Sequence, residues 1–278
     1  MSAARTFIKF AAKSPLGFLS VSVICLYLLV VLWPAWFATH DPLRVNLDER
    51  LQPPSRKHFF GTDETGRDIF SRVIHGARIS VKLAAIVIGF SLTIGFLLGS
   101  LSGYFGGKVD HLIMRFTDMV MAFPFLILAM GISAALGPGI LNATIAISLV
   151  WWTHYVRLIR ATILSVKNNV YVEASFALGA RTMRLLRKHI WPECVSPIVV
   201  RATMDIGLVT ISAASLSFIG LGAQPPMPEW GAMLSNARAY ILDCWWYTTF
   251  PGLAIFLMVF SFNILGDELR ELLDPRQT

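Results

Sequence analysis

The sequence predicts an all-α integral membrane protein, a bundle of six transmembrane helices, and two observations lead there. Of 278 residues, 55% are hydrophobic and only 15% charged, against about 25% charged in a typical soluble domain. A water-soluble core cannot absorb that excess. The apolar residues also fall into long, charge-poor runs, each near the ~20 residues that cross ~30 Å of hydrocarbon.

Residues 1–14 form a basic arm carrying Arg5, Lys9 and Lys13, and the run 15–37 after it reads as the first span. Basic residues also precede the apolar core of a signal peptide. This run is longer than such cores and is followed by His40-Asp41-Pro42 rather than a small-x-small cleavage site, so it reads as a retained anchor. Residues 38–78 are polar and read as an external loop. The core, 79–267, holds five further spans: Ile79–Leu101, Ile113–Leu136, Leu141–Leu164, Pro197–Ile219 and Thr248–Leu265. Gly137-Pro138-Gly139 separates the third from the fourth, because glycine and proline in series stop a helix. A surface loop, 165–194, joins the fourth to the fifth, and 268–278 is a tail.

Lys and Arg orient the bundle. Fourteen lie on the side of the termini: three in the arm, two in the Tyr104–Thr117 turn, seven from Arg157 to Cys194 and two in the tail. Eight lie on the other face, seven of them between His40 and Arg78. The positive-inside rule then places both termini in the cytoplasm of a cell whose inner membrane holds the chain. The same rule accounts for the net charge of +7 without nucleic acid, since basic residues collect beside anionic lipid. Cys25, Cys194 and Cys244 are scattered, with no metal-ligand or disulfide spacing.

No catalytic constellation is found, and no resident metal or cofactor is expected. The nearest approach to a phosphate loop, Gly103 to Lys108, is one residue short, and Val109 stands where a magnesium-binding Ser or Thr belongs. ATP hydrolysis is therefore not expected of this chain. Ionisable residues in spans are functional candidates by default. Asp118, His154 and Asp205 are candidates for a proton or ion relay, with interfacial pairing to Arg115, Arg157, Arg160 and Arg201 as the plainer reading.

The stretch Tyr171–Pro192 is the most informative. Arg181, Arg184, Arg187 and Lys188 exclude it from hydrocarbon, where each such charge costs about 2.5–3.5 kcal/mol. Met183, Leu186 and Ile190 fall at i, i+3 and i+7, which predicts an apolar stripe with a charged rim. Gly179 permits the turn between two short helices. On the opposite face, Gln224 to Trp230 contains three prolines and is predicted to be a stiff, non-helical segment.

Glu173-Ala174-Ser175, then Gly179 and Pro192, resemble the Glu-Ala-Ala loop of permease subunits in ABC importers, departing from it at Ser175, His189 and Trp191. Four further stretches, Phe60–Ser80, Gly103–Pro124, Ser215–Gly231 and Phe262–Arg276, look like the second permease of the dipeptide, oligopeptide and nickel group. The resemblance implies a type I importer bundle that moves small peptides, or in the alternative a nickel or metal chelate, into the cytoplasm. It implies as partners a related second permease, two ATPase subunits that bind ATP and magnesium, and an extracytoplasmic substrate-binding protein. The ATPase-coupling residues carried over are Glu173, Ala174, Ser175, Gly179 and Pro192, and the helical spacing adds Met183, Leu186 and Ile190 to them. Glu229 and Trp230 are carried over as contacts for substrate or binding protein, beside the alternative that they form a packed cap. A self-contained secondary transporter is the rival class, and it requires inverted repeats with interrupted helices, which the sequence does not display.

Overall fold

The structure, a computed structural model, describes residues 15–273. The predicted arm, 1–14, and the last five residues of the predicted tail lie outside them. The chain is helical, and among the described residues β pairing is confined to one isolated bridge, Thr62 to Asp68. Helix α1 spans Pro15–Leu32. Helix α2 spans Ile69–Phe105, starting ten residues before the predicted span and so shortening the loop read as 38–78. Asp68 caps it, its carboxylate accepting from Ser71 N at 2.8 Å. Arg72 and Arg78 made Ile69–Arg78 read as loop. Instead Arg72 is buried, with Nε 3.5 Å from Asp63 Oδ2 and Nη1 donating to the carbonyls of Pro42 and Pro226 at 3.0 and 3.3 Å. The helix is about 55 Å long at ~1.5 Å per residue, so its first turns stand clear of hydrocarbon.

The third predicted span is broken. Helices α3 (Gly107–Met121) and α4 (Phe125–Leu136) meet at 86°, because Pro124 lacks a backbone donor and drives the residue before it away from helical geometry. Helix α5 spans Ile140–Lys167. Helix α6 is Val170–Ala177, and α7 runs from Thr182 to Phe218 with a widened π-turn at Leu186–Ile190. That π-turn ends two residues before Pro192, whose ring and missing N–H disfavour ordinary α geometry in the turn before it. Helix α8 is Trp230–Ala237, and α9 is Trp245–Leu273, so the helix continues past the predicted tail boundary at 267.

Among the described residues, α1, α2, α7 and α9 suffice by length and apolarity to cross a membrane, and the bent α3–α4 pair makes five, one short of the predicted six. Helix α5 has the length, about 42 Å, but not the hydropathy. One face of it is enclosed by other helices: Thr144, Ser148, Thr153, Tyr155 and two tryptophans on it are buried. Polar residues on that enclosed face lower the hydropathy, while Leu141, Ile145 and Leu149 are exposed on the rest of the helix.

Helices α2 and α5 lie side by side in the same direction along a seam of small residues. A Cβ on Gly95 would come within 2.3 Å of Tyr155 Cβ, one on Gly99 within 2.9 Å of Val156 O, and one on Gly103 within 2.9 Å of Ile163 Cβ. Gly95, Gly99 and Gly103 thus form a doubled Gly-x-x-x-Gly row, which lets helix backbones approach in lipid. The spacing is plain in the sequence, but hydropathy alone does not reveal it. At the end of the seam Lys167 Nζ donates to Tyr104 O at 2.7 Å. One apolar cluster fills the space between α2, α5 and α7, including Val87, Ile147, Ile159, Ile163 and Val209. A second joins α1, the start of α2, α8 and α9 through Ile69, Val73, Trp230, Tyr247 and Met258.

Candidate functional site

The loop between α5 and α7 projects from the end of the bundle. Asn169 precedes α6, and Glu173 is exposed in the first turn, where the helix dipole favours an acid. The helix closes on Gly179: its N–H donates to Phe176 O at 2.9 Å, and Ala180 N donates to Ser175 O at 3.2 Å. These paired bonds with a left-handed residue, φ +82° at Gly179, form a Schellman stop. Nothing lies within 4 Å of where a Cβ on Gly179 would sit. Backbone conformation, and not packing, therefore demands glycine there.

The predicted stripe divides. Met183 is 52% exposed, but Leu186 and Ile190 are buried in the α2–α5–α7 cluster together with Leu185. They anchor the loop to the bundle instead of facing outward, because the second half of the loop is the start of α7 and its inner face is already committed to packing. The outward apolar residues are Val170, Phe176 and Leu178, 80%, 67% and 89% exposed, next to Met183. Arg181, Arg184, Arg187 and Lys188 are exposed around them, and Ala174 is exposed on α6. Exposed apolar side chains of this size, rimmed by charge, mark a surface that another protein covers. Beneath α6 lies a groove of about 550 Å³ lined by Tyr104, Lys167, Val172, Glu173, Phe176 and Leu185. Ser175 is half-buried, its Oγ 3.5 Å from His189 Nε2, and Pro192 is exposed at the start of the regular part of α7.

At the other end of the bundle, residues 224–229 of the predicted stiff segment are non-helical, while Trp230 begins α8. Glu229 and Trp230, however, are 2% and 0% exposed, which removes them as contact residues and places them in the packed cap. Glu229 caps α8 by accepting from Ala232 N at 2.9 Å. Trp230 donates its indole N–H to Val73 O at 3.0 Å and lies against Gly76, where a Cβ would be 2.6 Å from the ring. Gly231 abuts Ala214, with 2.3 Å from its notional Cβ to the carbonyl oxygen. The Glu-Trp-Gly run is a packing knot between α2, α7 and α8.

Burial pushes the Glu229 carboxyl above the usual carboxylate range, against the opposing effect of the Gly231 and Ala232 N–H groups. A raised folded-state pKa means that the folded protein holds this proton more tightly than the unfolded chain does. Its contribution is complete below the unfolded value and is lost as pH rises through the folded one. Glu229→Gln keeps an oxygen for the cap and removes the charge, so it is expected to melt with a flatter pH dependence as pH rises above the ordinary carboxylate range. Thermal unfolding of both proteins in detergent measures this, and parallel pH curves would contradict it.

The relay candidates do not line up as a chain of free carboxylates. Asp118 is paired with Arg157 at 2.6 Å, both about half exposed, while buried Asp205 accepts from Trp151 Nε1 at 3.0 Å and lies 3.0 Å from Arg201 Nε. His154 stacks edge-on to Trp151. Each acid already has a cationic partner.

The segment before α2 is a compact, polar layer. Asp63 accepts from Thr65 N, Arg67 N and Arg67 Nε, the last at 2.6 Å, and Tyr247 donates to Glu64. Here the fold brings together His40 and His58, whose ring centroids are 4.7 Å apart, beside Asp68. Sequence reasoning found no histidine cluster because these residues are separated by 18 and 10 positions with no motif spacing.

Comparison with known proteins follows the same lines. The family described as "Binding-protein-dependent transport system inner membrane component" matches residues 95–278. The chain is 48% identical over 263 residues to the probable D,D-dipeptide transport system permease protein DdpC of Escherichia coli, covering 95% of this chain and 88% of that one. It is 43% identical over 273 residues to the di/tripeptide transport system permease protein DppC of Pseudomonas aeruginosa, with the same two coverages. It is 46% identical over 254 residues to the glutathione transport system permease protein GsiD of Shigella boydii, covering 91% and 84%. Among solved structures, an inward-facing form of the MetNI methionine ABC transporter superposes with a TM-score of 0.62 at 18% identity, covering 73% of this chain and 96% of that one.

Proposed function

Because the chain belongs to the family of inner-membrane components of binding-protein-dependent transport systems, we propose that it is the permease subunit of an ABC importer that carries di- or oligopeptides into the cytoplasm. The observation that carries the coupling half of this reading is the exposed Val170, Phe176, Leu178 and Met183 surface with its basic rim. A permease without a phosphate loop must present a docking surface to separate ATPase subunits, which bind the ATP and magnesium. Glu173, Ala174, Ser175 and Gly179 shape that surface, while Leu186, Ile190 and Pro192 fix it to α7. The peptide cargo is supported by the names of the three relatives and is preferred on that ground to a nickel chelate. A related second permease completes the pathway, and a substrate-binding protein delivers the cargo to the opposite face. We count α5 and the α3–α4 pair as crossings, giving six, with both termini and the 165–194 loop cytoplasmic by the excess of Lys and Arg on that side.

Reconstitution tests the proposal. Alone in liposomes, the chain is expected neither to hydrolyse ATP nor to accumulate peptide under a proton or sodium gradient. With the second permease, the ATPases and the binding protein, it is expected to give ATP-dependent uptake that survives collapse of ion gradients. In intact cells, a single cysteine at Ala239 should react with an impermeant reagent and one at Ala177 should not. Peptide accumulation by the lone chain, or labelling at Ala177, would overturn the assignment of coupling or of orientation respectively.

A further inference from the structure

We propose that His40, His58 and Asp68 form a binding site for one divalent transition-metal ion, in a cavity of about 110 Å³ in the polar layer before α2. Their donor atoms all lie within 4.8 Å of one another. His58 Nδ1 is 2.8 Å and His40 Nδ1 3.7 Å from the same oxygen, Asp68 Oδ1. Four-coordinate zinc with bonds of about 2.0–2.1 Å sets neighbouring ligand atoms about 3.3 Å apart, a spacing that these two distances bracket.

Hydrogen-bond counting around His58 points the same way. His58 is 5% exposed, and both ring nitrogens face carboxylates: Nδ1 faces Asp68 Oδ1, and Nε2 lies 3.3 Å from Glu49 Oε2. A neutral imidazole has one N–H and can satisfy one of them. If it donates to Glu49, the lone pair on Nδ1 opposes an Asp68 lone pair, and a cation between them removes the conflict. The Glu49–His58–metal order is the arrangement in which an outer carboxylate fixes the tautomer of a metal-ligating histidine. Glu49 is itself held by Lys57 and by Asn46 Nδ2 at 2.9 Å. Asp68 keeps its other oxygen for Ser71 N at the start of α2, so ligation leaves the helix cap intact.

The donor set selects the ion. Two imidazoles and one carboxylate suit zinc and its neighbours, whereas calcium and magnesium require several oxygens. Glu49 is offset by Lys57, and Asp41 and Arg44 also line the cavity; Asp68 is the carboxylate with an oxygen close to both imidazoles. His40 is 33% exposed, which leaves a route for entry and room for water as fourth ligand. Such an ion would clasp the chain after α1, the polar layer and the start of α2.

The test uses the full chain in nanodiscs, purified through a tag without histidine and titrated with Zn²⁺ alone, with Co²⁺ as a coloured substitute. The wild type is expected to bind one Zn²⁺ that millimolar-scale Ca²⁺ or Mg²⁺ does not displace. His40→Ala and Asp68→Asn, the latter preserving the cap, are expected to weaken binding at least tenfold, and Glu49→Gln by about tenfold. His75→Ala, outside the cluster, is expected to bind as the wild type does. Retained helical circular dichroism in His40→Ala guards against a folding defect. Equal affinity in the wild type and His40→Ala, or no stoichiometric binding by the wild type, would refute the site.

Discussion

Gly95→Ala is expected to destabilise the bundle by about 1–3 kcal/mol, while Gly89→Ala on the same helix is expected to be neutral or stabilising by up to about 1 kcal/mol. The two substitutions are chemically identical. The added methyl at Gly95 meets Tyr155 Cβ at 2.3 Å, within the backbone-to-backbone seam, whereas at Gly89 nothing lies within 4 Å. No rotamer relieves a clash between two Cβ atoms, so α2 and α5 must separate. Gly99→Leu is expected to be worse, since its Cβ already falls 3.0 Å from Ile159 Cβ. Thermal unfolding in detergent, with folded yield from membranes, measures the series. Equal stability of the Gly89 and Gly95 variants would show that the seam is not tight.

Gly179→Val is expected to abolish peptide uptake with little loss of folded protein in the membrane. The position has φ +82° and open space around it, so the substitution costs backbone strain alone. A β-branched residue resists that conformation most. Relief comes by undoing the stop after α6, which turns Phe176 and Leu178 away from their present surface. Gly179→Asn tolerates positive φ and is expected to retain most uptake. Glu173→Lys places a cation at the positive end of α6 and is expected to reduce co-purification of ATPase subunits. Uptake, membrane abundance and co-purification would be measured together. Normal transport by Gly179→Val would remove the loop from the coupling role.

These two glycines show what the sequence discloses and what it withholds. Gly179 is legible because a lone glycine among helix formers, followed by a basic amphipathic run, has a local meaning. The row at 95, 99 and 103 has equally local spacing, but its partner surface lies some sixty residues away, and only the pairing of α2 with α5 gives it force. Pro124 carried a signal for the 86° bend that a hydropathy window averages away. The spacing of Leu186 and Ile190 discloses an apolar face but not that the bundle covers it, since periodicity says that a face is apolar and not what lies against it. Arg72 made a helical turn look like loop because the sequence does not reveal that Asp63 and two carbonyls await it. Glu229 and Trp230 form a conspicuous run for structural reasons, and His40, His58 and Asp68 meet without any conspicuous run at all.

The second half of the basic loop is continuous with α7, and this has a mechanical consequence. From Thr182 to Phe218 the helix is about 55 Å long at ~1.5 Å per residue, and just beyond its far end Leu221 O accepts from Gly139 N and Ser133 Oγ at 3.2 and 3.3 Å. A push at Met183 therefore acts on one arm of a lever whose other arm bears on the α4–α5 corner. With the pivot at the π-turn, the far arm from Trp191 to Phe218 is about 42 Å long, so a tilt of about 5° displaces its tip by about 4 Å. The π-turn at Leu186–Ile190 and Pro197 lie near the driven end, where a compliant joint absorbs twist while leaving the longer arm stiff.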